Sequence, residues 1–184
     1  MRANIIIHSI SGNLYIIAET FREKLEEHGF DARLYRVSDP DLHLAANERT
    51  EAIEYYEEIT ALPEATPEKL ESADIIILGT PSRFGMPTAE MKAFLDSTWP
   101  LYINQSLEGR KFYAFSSTTE GEYDGLRAAS SLYLWSEMMG LVNIPYEPYV
   151  HEESDMMPNR PSEIIDDIAD RFADLASIPD LPLS

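Results

Sequence analysis

Apolar runs of strand length alternate along this chain with segments whose apolar residues recur at helical spacing. Ala3 to His8 is short, almost wholly apolar and rich in isoleucine, as a strand buried on both faces would be. Ser9-Ile10-Ser11-Gly12-Asn13 interrupts it. Leu14, Ile17, Ala18, Phe21 and Leu25 then fall on one helical face, with Glu19, Arg22, Glu23 and Glu26 opposite and a stop at Gly29. Asp31 to Val37 mixes polar and apolar residues in the manner of an edge strand. Ala73 to Gly79 and Lys111 to Phe115 read as further buried strands, and Leu141 to Pro145 as a short last one. Helices are expected from Thr66 through Leu70, from Pro87 with Met91, Phe94 and Leu95 inward, and from about Asp124 to Met139, stopping at Gly140. A final helix over Ser162 to Ala176 turns Ile164, Ile165, Ile168, Phe172 and Leu175 inward. Five strands alternating with helices predict one α/β domain over residues 1–184. Its core would be a doubly wound five-stranded parallel sheet in the order 2-1-3-4-5, with helices on both faces.

One segment departs from that rhythm. Residues 38–66 exceed an ordinary connection, and Asn47 to Ile59 is helical but acidic, with Ile53, Tyr56 and Ile59 or Thr60 as a thin apolar stripe. It reads as an insertion packed on the rim. Eight acids stand there against Arg49 alone, and residues 151–184 hold nine against Arg160 and Arg171. The whole chain has 14 basic and 33 acidic residues, a formal net charge of -19. Such a surface repels phosphate backbones and anionic membranes, which argues against nucleic acid as a partner. No apolar run has the length of a membrane span, and Met1-Arg2-Ala3 runs straight into the first strand, so no membrane insertion and a cytoplasmic location are expected. The absence of cysteine excludes disulfides, thiolate chemistry and the usual zinc motifs, and the scattered His28, His43 and His151 indicate no metal. His8, at a strand end, reads as a core or rim residue.

Ligands of open parallel sheets bind at the carboxyl ends of the strands, and three loops leave such ends here. In Ser9-Ile10-Ser11-Gly12-Asn13-Leu14, backbone N–H groups at a helix start make an anion site, and Gly12 allows close approach. With no lysine or arginine and no P-loop pattern, neutral donors suit a single terminal phosphate such as that of FMN. Ordinary helix capping would use the same residue types. The second loop, Gly79-Thr80-Pro81-Ser82-Arg83-Phe84-Gly85-Met86-Pro87, is expected to be rigid and neither strand nor helix. It offers backbone donors, a flat wall and one cation, the needs of a planar ring system that becomes anionic on reduction. The third, Ser116-Ser117-Thr118-Thr119-Glu120-Gly121, would close the crevice with hydroxyls and amides.

In these loops the sequence resembles the tryptophan-repressor-binding-protein family of flavodoxin-like NAD(P)H:quinone oxidoreductases. Gly79 to Gly85, Met91-Lys92-Ala93-Phe94-Leu95-Asp96 and Phe115-Ser116-Ser117-Thr118 carry the resemblance, with Ser9 to Leu14 in outline; it spans residues 3–149. It implies a flavodoxin-like fold and bound FMN. The phosphate would lie on Ser9, Ser11, Gly12, Asn13 and Leu14. The isoalloxazine would lie against Thr80, Pro81, Ser82, Arg83, Phe84 and Gly85, and against Ser116, Ser117, Thr118, Thr119 and Gly121. It also implies NAD(P)H as reductant, a quinone or similar acceptor, and a homodimer or homotetramer. The flavin would carry the chemistry, with no catalytic side chain. Tyr102, Tyr123, Met138 and Met139 are the expected substrate-pocket walls, completed in part by a neighbouring subunit. Two features depart from the family: the third loop is acidic where the family's is glycine-rich, and the family's histidine near Met138-Met139 is missing. Glu120, Glu122 and Asp124 would therefore weaken the binding of an anionic nicotinamide. The competing reading is a flavodoxin-like one-electron carrier docking on a redox partner through its acidic surface.

Overall fold

The computed structural model describes residues 1–48, 54–152 and 164–179. Its sheet runs in the order β2-β1-β3-β5-β6, where β1 is Arg2–Ile7, β2 Asp31–Arg36, β3 Ile75–Arg83, β5 Lys111–Thr118 and β6 Val142–Asn143. β4 (Met86–Pro87) pairs antiparallel with β3, and β7 (Tyr149–Glu152) pairs parallel with β5. The sheet therefore has seven strands, not the expected five in the order 2-1-3-4-5. The difference lies at two places. Pro145 and Pro148 lack the N–H a ladder needs, so the edge of β5 is shared between β6, opposite Lys111 and Phe112, and β7, opposite Phe115 to Thr118. The expected second loop is also not a loop, because β3 continues through Thr80 and Pro81, paired with Ser116 and Ser117, and turns back as β4.

Side-chain alternation divides the core into two layers. Ile5, Ile7, Ile75, Ile77, Tyr113 and Phe115 face α1 (Asn13–Glu27) and the C-terminal helix Ile164–Ser177, where Phe21 lies between Phe115 and Phe172 at ring centroids of 5.6 and 5.3 Å. Ile6, Ile76, Leu78, Phe112 and Ala114 form the other layer with Met91, Phe94, Leu95 and Leu132. Asn4 is the polar exception within β1. Its Nδ2 donates to Lys69 O at 2.6 Å and Ser72 Oγ at 3.2 Å, which pins the short helix Pro67–Glu71 to the strand. Tyr113, whose hydroxyl burial pushes well above its usual range, donates to Glu147 O at 3.0 Å and accepts from Tyr149 N at 3.0 Å, fixing where β7 begins.

The acidic insertion begins with α2 (Leu42–Glu48) and resumes with α3 (Tyr56–Ala61), followed by the helix Pro67–Glu71, α4. Residues 49–53, with the expected apolar Ile53, lie outside the described residues. Ile59 is 2% exposed and anchors α3. The returning chain then lies along the free edge of β2: Arg36 N donates to Pro63 O and Ala65 N to Arg36 O, with an Arg36–Glu64 ion pair at 2.9 Å. The insertion thus pairs the carboxyl end of that edge, at Arg36. Ala89–Ser97 (α5), Trp99–Asn104 (α6) and Glu122–Met138 (α7) complete the layers with the C-terminal helix, α8. Among the described residues, no helix is long and apolar enough to cross a membrane.

Candidate functional site

The chain leaves β1 and enters α1 through Ser9 to Leu14. Gly12 sits at the N-cap with φ 91 and ψ -16, a left-handed conformation that glycine alone adopts without strain. It has no side chain of its own to cap the helix, and the first turn takes a side-chain partner from upstream instead. Ser9 Oγ accepts from Tyr15 N at 3.2 Å and Ile16 N donates to Gly12 O at 3.0 Å, which tightens the turn from inside. His8, buried beneath this loop, places Nε2 3.0 Å from Asp39 Oδ2 and Nδ1 3.8 Å from Glu90 Oε2, and so ties the end of β1 to the chain beyond β2, as expected of a rim residue.

β3 and β4 form a hairpin with Ser82 opposite Pro87 and Arg83 opposite Met86, leaving Phe84 and Gly85 as its two-residue turn. Both have positive φ, 56 and 71, as a type I′ turn requires. Glycine takes this conformation freely; phenylalanine does not, and Phe84 is also 98% exposed. Ser116, Ser117 and Thr118, expected in a loop, complete β5 instead. A shallow cleft of about 20 Å³ joins the three strand ends, lined by Ile10, Ser11, Pro81, Arg83, Ser117, Thr118 and Thr119. Arg83, the sole cation among those lining residues, is exposed and donates weakly to Ser82 O at 3.4 Å.

Asp124 ties the ends of β3 and β5 together. Its Oδ2 accepts from Ser82 Oγ and, at 3.2 Å, from Thr118 Oγ1, which in turn accepts from Glu120 N at 3.0 Å. Sequence reasoning placed Asp124 among the charges of the mouth. The structure turns it inward because α7 starts at Glu122, so its first turn faces the ends of both strands. Glu120 and Glu122 remain exposed. Ser116 is spent on the scaffold too, donating to Gly125 O at 2.8 Å, which leaves its backbone rather than its hydroxyl for a ligand.

Residues 1–155 match the family NADPH-dependent FMN reductase. The chain belongs to that family. A protein named NAD(P)H dehydrogenase (quinone) from Geobacter sulfurreducens is 34% identical over 152 residues, covering 79% of this chain and 73% of its own. One of the same name from Archaeoglobus fulgidus is 30% identical over 146 residues, covering 78% and 76%. Among solved structures, a flavodoxin, WrbA-like protein from Agrobacterium tumefaciens has a TM-score of 0.65 at 19% identity, over 95% of this chain and 94% of its own. A Streptococcus pneumonia TIGR4 flavodoxin has 0.68 at 17%, over 96% and 98%. At these identities the two structures show the fold, which is flavodoxin-like.

The residues at this end of the sheet fit FMN. The left-handed N-cap at Gly12 would cradle a phosphate without a Lys or Arg, and the hairpin and the end of β5 border a cleft that Ile10 and Ser11 of the same loop also line. In such a site the bound flavin supplies the redox chemistry, accepting and passing on electron pairs. Of the expected substrate walls, Tyr123 alone lies at this end, 73% exposed, with the Arg127 guanidinium 5.6 Å from its ring centroid. Arg127 escaped sequence reasoning because nothing but its helical spacing from Tyr123 connects it with the loops; its Cδ would lie 3.4 Å from a Cβ on Gly85. Tyr102, Met138 and Met139 are elsewhere. They line two cavities, of about 330 and 280 Å³, where α6 and the end of α7 meet, and Gly109 N donates to Gly140 O at 2.9 Å just before β5. That is the amino end of the strands. Within one chain these three residues are not walls of the cleft, since α7 carries Met138 the full length of a 17-residue helix away from Glu122.

Proposed function

We infer that the cleft holds FMN and that electrons pass through it from NAD(P)H to a quinone or similar acceptor. The carrying observation is the left-handed, side-chain-free N-cap at Gly12, opening beside a hairpin that holds Arg83 and Phe84 out from the sheet. In this reading Ser9, Ser11, Gly12, Asn13 and Leu14 bind the phosphate by neutral donors. Thr80 to Gly85 and the backbone of Ser116 to Thr119, with Gly121, border the isoalloxazine. Asp124 keeps these two borders at a fixed separation. The names of the relatives support the nicotinamide and the quinone, and the flavin loops support the finer kinship with the tryptophan-repressor-binding-protein branch.

Tyr102, Met138 and Met139 meet a flavin only from a second copy of the chain. The turn at Phe84 and the apolar side chains of Trp99, Ile103, Leu134 and Met138 are exposed on this otherwise acidic molecule, which favours a homodimer or homotetramer. A cytoplasmic setting accords with this reading. The test is direct. Purified protein should carry FMN, recoverable by chromatography after release; NADH or NADPH should bleach its visible absorbance, and benzoquinone should restore it. Release of FAD instead, or a flavin that neither nicotinamide bleaches at any ionic strength, would overturn the reading, the latter in favour of a one-electron carrier.

A further inference from the structure

The phosphate loop leans on a residue of the acidic insertion. Tyr55 is half-buried at the N-cap of α3, and the N–H of the anchoring Ile59 donates to its carbonyl at 2.9 Å. The Tyr55 ring lies against Gly12: a Cβ on Gly12 would stand 2.4 Å from Tyr55 Cδ2 and 2.9 Å from Cγ, and the three atoms nearest that point all belong to Tyr55. The same ring packs on Tyr15 in the first turn of α1, with centroids 5.8 Å apart and planes tilted by 44°. We propose that Tyr55 is the positioning residue of the phosphate loop, holding Gly12 in the conformation that aims its N–H groups at a terminal phosphate and thereby setting the preference for FMN over unphosphorylated flavin. This rests on the FMN reading of the cleft.

The physical need for such a brace follows from the loop's composition. Ser9 to Leu14 contains no Lys or Arg, so attraction for a phosphate comes from backbone dipoles, whose worth depends on their direction. Glycine visits positive and negative φ with equal ease, and a loop that holds the competent conformation only part of the time binds in proportion to that fraction. The bonds at Ser9 and Gly12 O secure the loop from the helix side; the Tyr55 ring closes the Cα side of Gly12. What the insertion presents there also matters. Burial first, then the charges of Glu19 and Glu58, push the Tyr15 hydroxyl above its usual range, so the surroundings of that hydroxyl are acidic. At the contact with Gly12, however, the insertion offers a neutral ring, which braces the loop without repelling an anion.

The test compares two flavins that differ only at the phosphate. The full-length chain and its Tyr55→Phe and Tyr55→Ala variants are titrated with FMN and with riboflavin, following fluorescence quenching, and each fold is checked by thermal melting. Tyr55→Phe keeps the ring and should keep the wild-type preference. Tyr55→Ala should lose FMN affinity by about tenfold while riboflavin changes by less than about twofold. Should Tyr55→Ala fail to fold, Tyr55→Leu, which retains bulk but not the flat wall, should show the same selective loss. Equal weakening of both flavins, or an unchanged ratio in a folded variant, would reduce Tyr55 to a packing residue and overturn the proposal while FMN binding by the wild type stands. A wild type that binds no FMN would overturn the parent reading with it.

Discussion

Removing the Asp124 carboxylate should loosen the flavin borders without touching the flavin. In Asp124→Ala, Ser82 Oγ and Thr118 Oγ1 lose their shared acceptor, Ser82 keeping only its longer bond to Asp124 O at 3.3 Å, and both residues are buried. Hydrogen bonds to a charged acceptor contribute about 1.5–3 kcal/mol net each. Asp124 is half-exposed and one oxygen serves both donors, so a combined loss of about 2 kcal/mol is the reasonable expectation. Part of it will appear as a lower denaturation midpoint. The rest is an ordering cost transferred to FMN binding, up to about 30-fold in the dissociation constant at that energy. Asp124→Asn keeps an acceptor oxygen and should recover much of both. Fluorescence titration and urea unfolding of wild type, Asp124→Ala, Asp124→Asn and the exposed control Glu122→Ala measure these effects. If Asp124→Ala matched Glu122→Ala in both assays, the two strand ends would not depend on this carboxylate and the reasoning would fail.

Arg83→Ala should lower the flavin reduction potential, because the exposed guanidinium at the cleft favours the more negative, reduced form; a potentiometric titration that shows no change in potential or FMN affinity would place Arg83 on the solvated rim. The hydrogen bond from His8 chiefly holds the Asp39 carboxyl below its usual range. A depressed carboxyl stabilises the fold above its unfolded value of about 4 and loses that contribution as pH falls through its folded value. Asp39→Asn should therefore unfold more easily than wild type at neutral pH, with the gap closing on acidification, and a gap independent of pH would refute the assignment. Glu120 and Glu122 stand exposed at the mouth, so KM for NADPH should fall as salt rises from low ionic strength, where screening lengths exceed about 10 Å; steady-state kinetics showing a rise instead would mean that cations such as Arg127 dominate there.

Much of the fold was legible from local pattern. The isoleucine run after Ala3, the one-faced spacing of Leu14, Ile17, Phe21 and Leu25, and the stop at Gly29 each depend on residues close in sequence, and the structure has β1 and α1 where they point. The turn at Gly12 was legible for the same reason, since a glycine between a buried strand and an amphipathic helix marks where the chain must change direction, and the structure has it left-handed at the N-cap. The hairpin at Phe84 was not, because its glycines and prolines mark a turn but do not say that the flanking residues stay paired with β5.

The sequence by itself determined the alternation of buried strands with amphipathic helices and the acidic surface, and it marked the strand ends where a ligand of such a sheet would rest, because periodicity, charge and turn chemistry are local properties. Only the tertiary structure decided what those ends lean on. Asp124 faces Ser82 from 42 positions away, and Tyr55 reaches Gly12 across β2 and the insertion. It also decided that Tyr102 and Met138-Met139 lie at the other end of the sheet, since a helix that starts at one end of a strand must finish at the other. Such pairings are set by how the layers pack, and no spacing along the chain encodes them.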